Sequence, residues 1–401
     1  MVSDKAIADK LAHEINSGYW EAGNHYFFNK AECLRYATSK RLFGPNDVIY
    51  HFFDEEFASL DWSREPTQSI KELCVERARQ LRDKYDYIML AFSGGIDSTA
   101  MLDAFLDNDI KIDEIVTYYP VTVIEKLLPT FNHLDKSPGN LIFEYTEAVV
   151  PKLKKIAISH PNIKITVVDY TKKLLEVVGT GAFLNTALAG LVVSPNCPGG
   201  HMICEMLREY SETRNAACVL GVDKPRIGYC PDTKRFGLRF GDMTTLWGKY
   251  DRSTFNGFQP NIEFFYYAHE FPQLIQKQSF VVKRAMMPLA TATTRIPEYK
   301  KMITVPVGNY ESFRMDSEMF KHILYEDYNP LVFQAEKSAS LFYSETGDWF
   351  NNSDMTDSRL KDFYDGQVTE FLHGVSKGFI RYSPDGKPGL FAHYGTKIIY
   401  F

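Results

Sequence analysis

No run of about 18 apolar residues occurs anywhere in the 401-residue chain, so a transmembrane helix is not expected. The opening stretch, MVSDKAIADKLAHEI, has no apolar core of the kind an export signal needs. The expected compartment is therefore the cytoplasm. Cysteine is scarce, at six residues, which argues against a disulfide scaffold in a chain of this length. Neither sign of charge dominates: Lys plus Arg is 45, Asp plus Glu is 51, and the formal net charge is -6. That balance argues against broad non-specific nucleic-acid binding, and no nucleic-acid partner is expected. Internal repeats and low-complexity linkers are also missing.

What remains is an ordinary globular composition, with 45% hydrophobic and 24% charged residues. The length suits two or three domains around a large core. Aromatics reach 14%, with 29 Phe and 24 Tyr, and are spread along the whole chain. That spread reads as core and interface packing rather than as a base-stacking platform.

Residues 1–66 read as a mixed N-terminal extension. Ile7, Leu11 and Ile15 carry a short helical stripe, and a second helix is predicted over Ala31 to Lys40. Gly44-Pro45-Asn46-Asp47 is a turn, and Val48 to Phe53 reads as a strand. From Pro66-Thr67 the pattern sharpens into a helix with Ile70, Leu73, Ala78 and Leu81 on one face. Ser69 and Glu72 have capping-box spacing at its start. Four strands follow, over Tyr87 to Phe92, Glu114 to Tyr119, Ile163 to Tyr170 and Ala217 to Val222. Helices are predicted between them, over Ser98 to Leu106, Glu147 to Ser159, Thr171 to Val178 and His201 to Arg214. Alternating strands and helices imply an α/β fold, a parallel sheet with helices on both faces. Residues 67–230 are assigned to this layer and 231–401 to a mainly helical C-terminal, substrate-side region. In that region Arg235 to Asp242 reads as a hairpin or loop excursion, and Ile262 to Tyr267 as strand or helix. Leu274 to Met287, Ser317 to Tyr325 and Arg359 to Gly374 read as helices, with short strands near Phe379 to Tyr382 and Ile398 to Phe401.

The chemistry concentrates at Ser93-Gly94-Gly95-Ile96-Asp97-Ser98. An apolar strand stops at a glycine turn and a helix starts at once, so free backbone N–H groups and the helix dipole face one spot. Two glycines let the backbone approach a phosphate, and the hydroxyls of Ser93, Ser98 and Thr99 add donors. The Walker A lysine is missing, and so is the GxGxxG dinucleotide turn. Asp97 is the unusual residue. An acid beside an anion cradle repels the ligand unless a cation lies between them, and magnesium takes oxygen ligands and bridges phosphates.

SGGIDS resembles the SGGxDS loop of the PP-loop ATP pyrophosphatases, the group that holds asparagine, GMP, NAD and argininosuccinate synthetases. The resemblance implies a Rossmann-like (HUP-type) sheet, ATP and Mg2+ as ligands, and cleavage of ATP between the α and β phosphates through an adenylated intermediate. It lies nearest the synthetase domain of asparagine synthetase and covers roughly residues 67–290, with specificity around the loop. The glutaminase domain of asparagine synthetase is not matched: Val2 follows Met1 where that domain carries a cysteine, and the roughly 90 residues ahead of the loop are too few for it. The implied nitrogen source is then free ammonia, an amine substrate or a separate amidotransferase subunit, acting on a small-molecule acceptor.

Open α/β sheets bind ligands at the carboxyl ends of their strands, which directs attention to four loops. Besides the SGGIDS loop these follow Thr117, Asp169 and Gly221. In the resembled family the end of the Thr117 strand contacts adenine or ribose. The Gly221-Val222-Asp223-Lys224-Pro225-Arg226 segment stands where that family places a pyrophosphate- and metal-binding loop, although the GxGxDE-like wording is absent. Asp97 and Asp223 are the expected magnesium ligands; Lys224 and Arg226 are suited to the departing phosphates. Ser194 to His201, SPNCPGGH, offers another glycine-led helix start. The alternatives are sulfur transfer to a nucleobase through Cys197 and Cys230, and a non-catalytic adenine-nucleotide-binding protein.

Overall fold

The structure is a computed structural model of the chain. It describes residues 1–28, 30–42, 47–128, 144–172, 197–222, 226–230, 233–242, 260–291, 317–326, 328 and 396–401.

The N-terminal extension folds first into helix α1, Lys5–Glu14, whose start is capped where Asp4 accepts the Ala6 N–H at 2.8 Å. Strands β1, Tyr19–Ala22, and β2, His25–Phe27, form a hairpin through Gly23 and Asn24. Both turn residues have positive φ, +55° and +60°, the two-residue geometry that follows the strand twist. Helix α2, Lys30–Ser39, comes next, and strand β3, Val48–His51, pairs antiparallel with the other edge of β1. Helix α3, Asp54–Ala58, completes the extension. The hairpin was not anticipated, because its strands are only four and three residues long and Gly-Asn is a weaker turn signal than Asn-Gly.

Helix α4 runs Ile70–Lys84. It begins at the capping box rather than at Pro66: Ser69 Oγ accepts the Glu72 N–H at 3.1 Å and the Glu72 carboxylate accepts the Ser69 N–H at 2.7 Å. Strand β4, Tyr87–Ala91, leads to helix α5, Ile96–Leu106, and strand β5, Glu114–Tyr119, to helix α6, Val121–Leu127. A π-helical turn, Glu144–Val149, precedes helix α7, Val150–Ser159. Strand β6, Lys164–Asp169, helix α8, Cys197–Ser211, and strand β7, Ala216–Leu220, follow. Strands β8, Arg226–Cys230, and β9, Arg235–Arg239, form an antiparallel hairpin, resolving the 235–242 stretch. Strand β10, Ile262–Phe264, helix α9, Gln273–Thr291, helix α10, Ser317–Leu324, and strand β11, Ile399–Tyr400, complete the described elements.

The centre is a five-stranded parallel sheet in the order β10-β7-β4-β5-β6. Its middle strands are apolar and buried on both faces, as helices on either side require: Ile88 to Ala91 and all of Ala216–Leu220 are buried. The expected α/β architecture is present. Its edge strand comes from Ile262–Phe264, beyond residue 230, so the sheet reaches past the 67–230 range expected for it. The ambiguity at 262–267 resolves as strand because the segment pairs with β7, a tertiary contact that short apolar runs do not announce. Strand β11 pairs with β9 (Tyr400 opposite Gly237), and the expected strand at 379–382 and helix at 359–374 lie outside the described residues.

The extension docks on the main layer. Phe57 packs 4.3 Å, centre to centre, from Phe240, Phe53 stacks on His269 at 3.8 Å, and Trp20 Nε1 donates to Asp242 at 3.2 Å. Helix α4 is tied to the edge strand by a buried cluster. Glu263 accepts from Arg77 at 3.0 Å, from Lys84 at 2.9 Å and from Tyr85 at 2.5 Å. Among the described residues, no helix is long and apolar enough to cross a membrane.

Candidate functional site

From β4 the chain winds outward through β5 to β6, then returns to the other side of β4 for β7 and β10. The order therefore reverses between β4 and β7, the position at whose carboxyl ends open α/β sheets hold their ligands. The SGGIDS loop leaves β4 at that point. Phe92 N–H donates to Val116 O at 2.8 Å as the last rung toward β5, and the backbone then turns away. Gly95 is the residue capping α5, with extended φ and ψ of -73° and 159°, and no side chain caps the first-turn N–H groups. The loop's hydroxyls face inward. Ser98 Oγ and Thr99 Oγ1 donate to Gly95 O at 2.9 and 3.0 Å, and Ser93 N–H donates to Ser98 Oγ at 3.3 Å. Ser98 and Thr99 thus brace the turn, which leaves backbone N–H groups to present to an anion.

Two glycines are demanded by geometry. Gly94 has φ +76°, and a Cβ there would lie 2.6 Å from Val149 Cγ2 at the end of the π-helical turn. Gly221, just past β7, would bring a Cβ to 3.0 Å from Ser98 Cα. The β7 end therefore abuts the start of α5.

Three tyrosines hold the loop from three directions. Tyr119, the last residue of β5, donates to Ser93 O at 2.7 Å. Tyr266, just past β10, donates to Asp97 O at 2.9 Å. Tyr325, at the end of α10, donates to Asp97 Oδ1 at 2.5 Å. Burial pushes all three phenols well above their ordinary value, and neighbouring carboxylates add to the shift, so each stays a protonated donor. Lys321 is also buried, one helical turn before Tyr325, with its ammonium 5.6 Å from the Tyr328 ring centre. None of these was singled out from sequence. Tyr119 and Tyr266 stand at strand carboxyl ends, a signal the open-sheet rule would have supplied; Tyr325 gave no local signal.

The remaining candidates divide. Thr117 is fully buried one residue past Val116, and its hydroxyl has no hydrogen-bond partner among the described residues. Arg226 opens β8 with its guanidinium against Gly241, where a Cβ would meet Arg226 Cζ at 2.6 Å. Asp223 and Lys224 lie outside the described residues, as do residues 194–196 and the side chains of Cys197, His201 and Cys230. The carboxylate of Asp169 accepts from Thr122 in the first turn of α6 and from Thr171 just past β6, which occupies it in tying these two segments together. Cys33, Cys74, Cys204 and Cys218 are buried and outside any disulfide. Burial pushes Cys74 up to about 12 and moves Cys218 the same way, opposite to what a nucleophile needs.

The residues present fit a phosphate chain with one hard cation. The uncapped helix start offers first-turn backbone N–H groups to anionic oxygens, and Asp97 supplies a carboxylate in the first turn. Among the described residues, no three His, Cys, Asp or Glu side chains gather as a metal cluster. Magnesium does not require one, since it is commonly held by one or two carboxylates, water and the phosphates themselves. Comparisons with protein-family models, with curated proteins and with solved structures give no match.

Proposed function

We propose that the protein is an AMP-forming ligase that cleaves ATP between its α and β phosphates. The observation that carries this reading is the SGGIDS loop at the point of strand reversal, with an uncapped helix start and Asp97 in its first turn. The resemblance of that loop to the PP-loop enzymes supports it. Asp97 and Asp223 would hold magnesium, which when bound would neutralise phosphate charge. The backbone N–H groups of residues 94–98 bind phosphate oxygens. Gly94 and Gly221 let the π-helical turn and the β7 end pack close against the loop and so hold its shape. Thr117 stands beside the loop with an unused hydroxyl for the nucleoside.

In the reaction, a carboxylate oxygen of a small-molecule acceptor attacks the α phosphorus and the bond from that phosphorus to the bridging oxygen breaks. Pyrophosphate leaves with the bond's electron pair. Ammonia or an amine then attacks the adenylated carbonyl carbon, a C–N bond forms, and AMP departs carrying the former carboxylate oxygen. Lys224 and Arg226 are the proposed cations for the departing pyrophosphate. The protein's contribution is positioning and charge stabilisation.

The test is incubation of the purified protein with ATP, magnesium and a metabolite extract, read by mass spectrometry for AMP, pyrophosphate and a new amide product. Asp97→Asn should abolish all three while leaving the fold intact. Equal product formation by wild type and Asp97→Asn would remove the reading.

A further inference from the structure

A phenol supplied from far along the chain is bonded to the one acid of the loop. Tyr325 lies 228 residues beyond Asp97 and donates to its Oδ1 at 2.5 Å, while Tyr266 donates to the carbonyl of the same residue at 2.9 Å. Side chain and backbone of Asp97 are therefore each fixed by a tyrosine, and both tyrosines are buried. A hydrogen bond to a carboxylate is short and strong. Helix α10, which delivers Tyr325, packs on α9, which in turn packs on α4, so the donor rests on the core rather than on a loop.

We propose that Tyr325 is a positioning residue for a divalent cation at Asp97, and that helix α10 thereby completes the nucleotide site. The proposal rests on the reading of the loop as an ATP site. A carboxylate that must be ordered on binding loses side-chain freedom at that moment; one already held by a neighbour does not. The structure thus assigns a defined role to the C-terminal region: it presents a donor that sets the orientation of the loop's acid. The partner effect is specific to the metal. Backbone N–H groups that meet phosphate do not pass through Tyr325.

The experiment is a titration of Mn2+, followed by electron paramagnetic resonance, into the full chain with α,β-methylene-ATP, an analogue that cannot be cleaved at the relevant bond. Wild type, Tyr325→Phe and Asp97→Asn are compared, with the fold of each checked by circular dichroism. Loss of an outer partner of a metal ligand costs on the order of tenfold in metal affinity, and that is the expected loss for Tyr325→Phe. Binding of the nucleotide analogue in EDTA should be unchanged, which a general loosening of the fold would not allow. Replacement of Tyr325 by 3-fluorotyrosine, which keeps the donor, should restore metal affinity. Should Tyr325→Phe fail to fold, the fluorotyrosine protein still decides: a tenfold loss there despite the retained donor overturns the proposal. If Tyr325→Phe binds Mn2+ like wild type while Asp97→Asn has lost it, Tyr325 has no positioning role and the ATP reading stands. If Asp97→Asn also binds normally, the loop reading itself fails and the proposal falls with it.

Discussion

Gly94→Ala separates the two constraints that shape the loop. The residue sits at φ +76°, and an added methyl would fall 2.6 Å from Val149 Cγ2. A non-glycine residue in the left-handed region costs about 1–2 kcal/mol. Overpacking against a buried methyl costs about 1–3 kcal/mol, and Val149 is fully buried, so its retreat is restricted. Together the substitution should destabilise the protein by about 2–5 kcal/mol, a large share of a typical folding stability. Val149→Ala removes the clashing methyl while leaving φ untouched. In the double variant the clash with Val149 disappears, while the backbone part and a tighter contact of 3.2 Å with Ala148 Cβ remain, so a double-mutant cycle should show a favourable coupling of about 1–3 kcal/mol. Urea unfolding followed by tryptophan fluorescence, with the slope compared across all four proteins, measures it. The reasoning is refuted if Gly94→Ala matches wild type, or if the two substitutions add with no coupling.

Glu263→Ala should be severely destabilising, by about 3–5 kcal/mol in denaturant unfolding, because it strands the buried Arg77 guanidinium without its carboxylate; a loss below about 1 kcal/mol would contradict that assignment. His269 is pushed down to about 4 by burial, against an ordinary 6.5. The unfolded chain therefore binds a proton first as pH falls, and stability should drop between 6.5 and 4. His269→Asn should flatten the decline of Tm across the upper part of that window; an unchanged decline would place its origin elsewhere. His51 behaves oppositely. Burial alone would lower it, but Asp54 and Glu21 at 2.6 and 2.7 Å outweigh burial and raise it. Its contribution is complete below about 6.5 and fades as pH rises through the raised folded value. His51→Asn should therefore lose less Tm than wild type on going from neutral to alkaline pH, and an equal loss would contradict the assignment.

The parallel sheet was legible because its strands are short apolar runs separated by helical periods, a pattern local to each segment. Helix α4 was readable to its cap, since Ser69 and Glu72 are three residues apart and the box is closed by those two side chains alone. The SGGIDS loop was equally local: strand, turn, acid and helix start fall within about a dozen residues. What the sequence concealed is long-range. Strand β10 is told from a helix by its pairing with β7, and the strand expected near 398–401 is present, but its pairing with β9 across roughly 160 residues was not legible. Tyr325 meets Asp97 only because α10 packs on α9, and no spacing in the chain encodes that. Ser98 and Thr99 show a subtler limit. Their hydroxyls were expected to serve the ligand, and the structure has them donating to Gly95 O, because a helix start accepts such back-bonds readily.

The most direct test of the central claim is the fate of the phosphates. With α-labelled and γ-labelled ATP in parallel, plus magnesium and the metabolite extract, the account predicts label in AMP from the first and in pyrophosphate from the second, both lost in Asp97→Asn. Label appearing in ADP and inorganic phosphate would contradict α–β cleavage at this loop, and so would AMP and pyrophosphate formed equally by Asp97→Asn.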